Sequence, residues 1–264
     1  MPHIDVNGAV LLYHLQGLES GPTIIFSNGL GTTTAMWQPQ LQPLEGRFRI
    51  LRFDTRGHGH SSVTDGPYTI ELLAKDLLGL ASALRIEKFH FCGLSMGGQI
   101  GQWLIHNAPE RLKSATLANT GQKIGNDEMW NARIAKVRSE GMVSVVAAVT
   151  ERWFSPEFFE KSPAEVEKLR NTFLSINPAG YAACCAAVRD ADFRSAKPAA
   201  GKIPPTLVIA GTHDRATPPA DGKLLAESLP GAKFLELDAA HLSNVEAHSK
   251  YTDALAAHLT QAEA

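Results

Sequence analysis

Short apolar runs recur along the chain, and each has the length of a strand. They are rich in β-branched and aromatic side chains, a composition that predicts strands buried on both faces. The runs are residues 23–27, 48–53, 89–93, 206–210 and 232–237. Before these runs in the sequence, the dipeptide Asn7-Gly8 divides residues 3–16 into two short segments. Because both residue types tolerate positive φ, this dipeptide predicts a type I′ turn between two antiparallel strands.

Amphipathic segments separate these runs. In residues 70–84 the leucines fall on one stripe, which predicts a helix with one buried face. Further helical patterns cover residues 96–107, 219–229 and 249–259. Because strands and helices alternate, we expect an α/β protein with a mostly parallel sheet between layers of helices.

Residues 122–197 follow a different pattern, with helical periodicity and no convincing strand. Its helical patterns are residues 127–139, 143–154, 163–175 and 180–188, interrupted by prolines. An all-helical stretch within an α/β sheet is typical of a cap over the active edge. We therefore predict a core of residues 1–121 and 198–264 and a helical cap of residues 122–197. The proline-rich residues 198–205 would return the chain to the core.

The composition limits which binding partners and which cellular compartment are expected. The 264 residues carry a formal charge of −2, which argues against nucleic acid and anionic membranes as partners. No uncharged apolar segment reaches the roughly 18 residues of a membrane span, and the first residues do not resemble a signal peptide. Cys184 and Cys185 are adjacent and lack metal-ligand spacing, so we expect reduced thiols in a cytoplasmic protein that needs no metal. The sequence leaves the oligomeric state open, a homo-oligomer included.

A G-x-S-x-G motif carries the clearest chemistry. Ser95 lies in it between a predicted strand and a predicted helix, the context in which a serine is exposed on a sharp turn as a nucleophile. The alternative is a glycine-rich turn with an incidental serine. In a nucleophile turn the N–H of the next residue, Met96, would stabilise an oxyanion. Leu30, between two glycines in the loop after residues 23–27, is the candidate for the second donor, unless that loop is a plain glycine turn.

A nucleophilic serine needs a histidine base and an acid that orients it. Asp214 and His241 each follow a predicted strand, in the chain order serine, acid, histidine. Asp238, Glu236 and Glu128 are rival acids, and Asp238 lies too close to His241 along the chain to orient it from behind. Of the other histidines, we expect His213 to be solvated or to support the acid. We expect His58 and His60 to form hydrogen bonds within their own loop.

Beyond these motifs, the chain resembles the 3-oxoadipate enol-lactonases of bacterial aromatic degradation, which belong to the α/β hydrolases. The segments that carry the resemblance are SNGLGTTTAMWQPQ, LRFDTRGHGHSS, FHFCGLSMGGQIGQWL, RWF, GYAACCAAVRDAD, LVIAGTHDRATPPADG and LDAAHLSNVE. The resemblance implies an α/β-hydrolase fold with a mostly parallel eight-stranded sheet, helices on both faces and an inserted cap. It also assigns nucleophile, acid and base to Ser95, Asp214 and His241. One departure is Gly29, where a serine is expected in this family.

The resemblance also implies a substrate, a small enol-lactone with a carboxymethyl arm, hydrolysed to 3-oxoadipate without a cofactor. The free carboxylate calls for a cation. Arg133 lies three residues after Trp130 on a predicted helix face, with Trp153 as a candidate pocket wall; a solvated arginine is the alternative. Arg138 and Arg152 are the other cap arginines considered. The same catalytic residues serve small carboxylesterases and perhydrolases, and a hydrolase-fold ligand-binding protein is a third alternative.

Overall fold

The computed structural model of the protein describes residues 2–196 and 203–263. Eight strands form one sheet in the order β1-β2-β4-β3-β5-β6-β7-β8. Strand β2 is antiparallel to β1 and β4, and the remaining pairs are parallel, so the expected mostly parallel sheet is confirmed. The strands are β1 His3–Val6, β2 Ala9–Gly17, β3 Thr23–Ser27, β4 Arg49–Phe53, β5 Phe89–Leu94, β6 Leu112–Ala118, β7 Thr206–Gly211 and β8 Lys233–Leu237.

The opening hairpin confirms its turn prediction. Asn7 and Gly8 have φ of 51° and 72°, and Val6 pairs with Ala9 across them. Positive φ at both central residues of a two-residue loop defines a type I′ turn.

Helices cover both faces of the sheet, as expected. They are α1 Gln38–Glu45, α2 Ile70–Ala83, α3 Met96–Asn107, α4 Asp127–Glu140, α5 Val146–Thr150, α6 Pro156–Lys161, α7 Pro163–Leu174, α8 Pro178–Asp190, α9 Pro219–Ser228, α10 Ser243–Glu246 and α11 His248–Glu263. Helices α2 and α3 pack together, as do α1 and α11. Within residues 2–196 and 203–263, no helix is long and apolar enough to cross a membrane.

Helices α4 to α8 all lie between β6 and β7. The prediction of one helix over residues 143–154 is wrong, because only a 3-10 turn and the short α5 form there. The segment is rich in β-branched residues, which are weak helix formers. Its last residues leave the helix so that Trp153 and Phe154 are buried. The division into core and cap stays a prediction. Residues 198–202 of the expected return segment, and the last residue of the expected cap, residue 197, lie outside the described residues.

The candidate catalytic residues gather at one edge of the sheet. Leu30 follows β3, Ser95 follows β5, Asp214 follows β7 and His241 follows β8. Each neighbouring pair from β3 through β5, β6 and β7 to β8 is parallel, so these four strands run in the same direction. Their carboxyl ends therefore meet at the same edge, where open α/β sheets bind ligands.

Candidate active site

Ser95 occupies a strained turn between β5 and α3. Its φ of 57° and ψ of −112° are unusual for a residue with a side chain. Two glycines make room for this turn. A Cβ at Gly93 would lie 2.2 Å from the carbonyl oxygen of Gly97, and a Cβ at Gly97 would lie 2.2 Å from that of Ser27. Only glycine fits at either position, so the G-x-S-x-G motif is a packing requirement of this turn.

Asp214 is buried and bound by donors on both carboxylate oxygens. Oδ1 accepts hydrogen bonds from the backbone N–H groups of Ala216 at 2.8 Å and Thr217 at 3.0 Å. Oδ2 accepts from the Thr217 hydroxyl at 2.8 Å and from Asn119 Nδ2 at 3.0 Å, and it faces His241. Burial alone would raise the pKa of Asp214, but the charge of His241 and these hydrogen bonds lower it to about 2. The group is therefore a carboxylate at neutral pH.

His241 lies directly against that carboxylate. Its Nδ1 is 2.8 Å from Asp214 Oδ2, and because a carboxylate only accepts, Nδ1 carries a proton. In the neutral imidazole, Nε2 is then free to accept one. His241 is 7% exposed and lines the same cavity as Ser95.

The loop around His241 is attached to the segment between α5 and α6 on both sides. The N–H of Leu242 donates to the carbonyl of Trp153 at 2.9 Å. The N–H of Ala240 donates to Glu246 at 2.8 Å, and the same carboxylate accepts from the N–H and the hydroxyl of Ser155. The position of the candidate base is thus linked to the cavity wall.

The rival acids lie elsewhere. Asp238 is exposed and 2.8 Å from the exposed His213, and Glu236 and Glu128 are also exposed. Of the four carboxylates considered, Asp214 is the one that contacts His241.

The loop after β3 places Leu30 at the cavity that Ser95 lines. The carbonyl of Gly29 accepts from Thr32 N–H at 3.2 Å and from the Thr32 hydroxyl at 2.8 Å. In a trans peptide the N–H points opposite to the carbonyl, so Leu30 N–H faces away from Thr32. It has no acceptor among the described residues, and Leu30 lines the cavity with Ser95. Met96, the first residue of α3, has no intrahelical acceptor for its own N–H.

The glycine at position 29 leaves this arrangement intact. A Cβ there would meet its nearest neighbours at 3.4 Å or more, including Ser95 Cβ at 3.7 Å. The serine expected at this position in the family would fit, and the backbone donor of Leu30 does not depend on it.

A cavity of about 220 Å³ is lined by Ser95 and His241 and by both aromatic candidates, Trp130 and Trp153. Arg133 and Arg152 line it, and Arg133 lies 4.7 Å from the Trp130 ring centroid. The third cap arginine, Arg138, borders a separate surface cavity with Asn177 and Pro178.

The sequence reasoning missed a third arginine of this cavity, Arg215. Its position directly after Asp214 was the available signal. Among the described residues, no carboxylate side chain lines the cavity. Burial lowers the pKa of Arg152, and the nearby charges of Arg133 and Arg215 lower it further. The cavity is therefore electropositive and suited to an anion.

The sequence expectation for His58 is incomplete. Its side chain reaches beyond its own loop, and Nε2 accepts a hydrogen bond from Gly31 N–H at 2.9 Å. His60 is exposed. In the described ranges, no group of three or more histidine, cysteine, aspartate and glutamate side chains is arranged to hold a metal ion.

Residues 22–139 match the family model of the α/β hydrolase fold, which, with the sheet and the serine turn, defines the protein as an α/β hydrolase. The 3-oxoadipate enol-lactonase 2 of Acinetobacter baylyi is 42% identical over 255 residues, 96% of this chain and 94% of that protein. The chain belongs to the 3-oxoadipate enol-lactonase family.

Two solved structures extend the comparison. The enol-lactonase from Burkholderia xenovorans LB400 has a TM-score of 0.94 and 43% identity, covering 98% of this chain and 100% of that chain. A thermophilic esterase from Thermogutta terrifontis, solved with malate bound, has a TM-score of 0.93 and 28% identity, with complete coverage of both chains.

Proposed function

We propose that the protein hydrolyses 3-oxoadipate enol-lactone to 3-oxoadipate in the bacterial degradation of aromatic compounds, through a catalytic triad of Ser95, His241 and Asp214. The observation that carries the proposal is that Ser95 lies on a strained turn and lines a cavity that is also lined by arginines. The relatives named as enol-lactonases specify which lactone is expected.

The first half of the reaction forms an acyl-enzyme. Ser95 Oγ attacks the lactone carbonyl while His241 Nε2 takes its proton, and Asp214 stabilises the resulting imidazolium. The N–H groups of Leu30 and Met96 stabilise the oxyanion. The ring C–O bond then breaks, and the enolate oxygen departs while remaining tethered to the acyl chain. The imidazolium returns its proton to the enolate, which becomes a ketone.

The second half releases the product. His241, neutral again, takes a proton from a water molecule as the water attacks the ester carbonyl on Ser95. The second tetrahedral intermediate uses the same two backbone donors. Its collapse returns the proton to Ser95 and leaves 3-oxoadipate.

We further propose that Arg133 binds the carboxymethyl carboxylate, with Trp130 and Trp153 as walls. Arg133 is half-buried, lies against the Trp130 ring and lines the cavity. Desolvation of a carboxylate is offset by a guanidinium that offers paired donors. Arg152 and Arg215 lie in the same cavity, so they partly compensate for the loss of Arg133.

The test compares two substrates across three variants. Ser95→Ala should abolish turnover of the enol-lactone, by roughly four to six orders of magnitude in kcat, while the variant stays folded. Arg133→Ala should lower kcat/KM for the enol-lactone by about 2 kcal/mol, roughly 30-fold, and should barely change p-nitrophenyl acetate turnover. Arg138→Ala removes an equal charge from the same helix outside the cavity and is the matched control.

Three outcomes would contradict the proposal. A folded Ser95→Ala variant within tenfold of the wild type would refute the nucleophile. Equal losses on both substrates in Arg133→Ala would mean that Arg133 supports the fold. Wild-type preference for uncharged esters over the enol-lactone would favour a carboxylesterase, the function suggested by the similar esterase.

We also propose a cytoplasmic location, a core of residues 1–121 and 198–264 under a cap of residues 122–197, and no nucleic-acid or membrane partner. The support is the near-neutral charge and three unpaired, buried cysteines. The oligomeric state, a homo-oligomer included, is to be measured by light scattering.

A further inference from the structure

His58 occupies the turn after β4 and is 1% exposed. Its Nε2 faces the N–H of Gly31 at 2.9 Å. A backbone N–H can only donate, so Nε2 is the unprotonated acceptor and the proton of the neutral ring lies on Nδ1. On the Nδ1 side the ring has a backbone hydrogen bond with Arg56, and Cys184 Sγ lies 3.7 Å away.

Gly31 belongs to the turn that presents Leu30 N–H. The hydrogen bond from Thr32 N–H to the Gly29 carbonyl closes a four-residue turn, and Gly31 at its third position has a φ of 83°. Positive φ at the third position alone defines a type II turn. A type I turn differs by a flip of the central peptide, which here joins Leu30 to Gly31. The bond to His58 holds the N–H of that central peptide.

Both peptides that flank the Leu30 Cα are therefore fixed. Thr32 binds the carbonyl of the first peptide, and His58 binds the N–H of the second. The bond to His58 favours the type II form of the turn. Without it, the Thr32 contacts alone hold the turn, and the Leu30 N–H is held less firmly in place. A displacement of about 1 Å in a catalytic group can cost on the order of 10²-fold in rate.

We propose that His58 is a positioning residue that fixes the Leu30 oxyanion donor through the Gly31 N–H. This inference rests on the proposed function insofar as Leu30 N–H is taken to stabilise the oxyanion. Burial lowers the pKa of His58 to about 4, so the ring stays neutral and able to accept at the pH at which such a hydrolase would work.

Three substitutions at position 58 test the role. His58→Leu removes the acceptor, His58→Asn keeps an amide that is too short to reach Gly31, and His58→Gln offers a carbonyl oxygen near the position of Nε2. We expect His58→Leu and His58→Asn to lower kcat roughly 10- to 100-fold with KM changed less than threefold. The reason is that the oxyanion forms in the transition state and the tetrahedral intermediate, and not in the bound substrate. His58→Gln should recover kcat to within about fivefold of the wild type.

A second measurement separates positioning from general damage. Binding of a boronic acid, which forms a tetrahedral adduct on Ser95, should weaken in His58→Asn by a factor similar to the loss in kcat. Binding of 3-oxoadipate should stay unchanged. Cys184→Ala is the matched control, because it removes the neighbour on the Nδ1 side and leaves the Gly31 hydrogen bond in place.

The two proposals fail in different ways. A His58 substitution should lower kcat for the enol-lactone and for p-nitrophenyl acetate alike, because both form an oxyanion, so the test holds even if the enol-lactone is not the substrate. Equal kcat in His58→Gln and His58→Asn would overturn the inference, as would a rise in KM with unchanged kcat. If His58→Leu does not fold, the Gln and Asn pair decides.

Discussion

Replacing Asp214 by asparagine should disable the proposed base, His241, by changing its tautomer. The new amide must place its NH2 group where one carboxylate oxygen was. If NH2 replaces Oδ1, it meets the N–H groups of Ala216 and Thr217, which belong to the backbone and cannot turn away. If it replaces Oδ2, it meets the Thr217 hydroxyl, Asn119 Nδ2 and His241 Nδ1. The hydroxyl can rotate and the imidazole can move its proton, so this second orientation is the less costly one.

The consequence falls on His241. With an NH2 group against Nδ1, the imidazole accepts there and carries its proton on Nε2, so it cannot take the proton of Ser95. We expect kcat to fall by about 10⁴-fold, the magnitude that a wrong tautomer produces in a serine triad. Asn119 Nδ2 is left facing a second donor, and this should lower the free energy of unfolding by about 1–3 kcal/mol.

The assay is turnover of the enol-lactone by folded Asp214→Asn, with the His241 tautomer read from imidazole ¹⁵N shifts. Asp238→Asn is the matched control, because Asp238 also pairs with a histidine at 2.8 Å, but on the surface. It should leave kcat unchanged. A loss of less than tenfold in Asp214→Asn, or an equal loss in the control, would refute the reasoning.

Three further outcomes are expected. Gly97→Ala should destabilise the protein by about 1–3 kcal/mol because its Cβ meets Ser27 backbone, whereas Gly46→Ala, with nothing within 4 Å, should be neutral in urea denaturation. Glu246→Ala should cost about 1–3 kcal/mol by leaving Ala240 and Ser155 unpaired, against less than about 0.5 kcal/mol for the exposed Glu236→Ala; equal effects would contradict this role. Burial lowers the pKa of His58 and His90 to about 4 from an ordinary 6.5, so the unfolded chain takes up their protons first. Stability should therefore be full above pH 6.5 and fall between pH 6.5 and 4, with about 3 kcal/mol from His58; urea curves that do not shift across this range would contradict it.

Local sequence patterns predicted most of the sheet and the order of the candidate catalytic residues. Strands such as Phe89–Leu94 are continuous apolar runs, and the nucleophile turn depends on glycines within two positions of Ser95. Asp214 and His241 could be placed because parallel strands bring their carboxyl ends together. All of these inferences use neighbours in sequence or a general rule of topology.

Other features depend on contacts that no local pattern contains. Helix α1 has a polar sequence with an internal proline, Pro43, and its apolar face is too short to stand out. His58 and Gly31 are 27 positions apart, so their hydrogen bond depends on how two loops meet. The position of Arg215 directly after Asp214 indicates only that it lies near the candidate site; that Arg215 lines the cavity depends on the folded path after β7.

The attachment of the His241 loop to Trp153 and Ser155 constrains how the substrate range of this protein can be redesigned. Trp153 lines the cavity, and its carbonyl accepts a hydrogen bond from Leu242 N–H, so one residue forms part of the cavity wall and also holds the loop of the proposed base. A library that varies pocket side chains such as Met129 and Val149 leaves these backbone bonds in place. A helical segment grafted from another hydrolase in place of the proposed cap must bring its own equivalent of residues 153–155, matched to Glu246, or His241 will shift relative to Ser95.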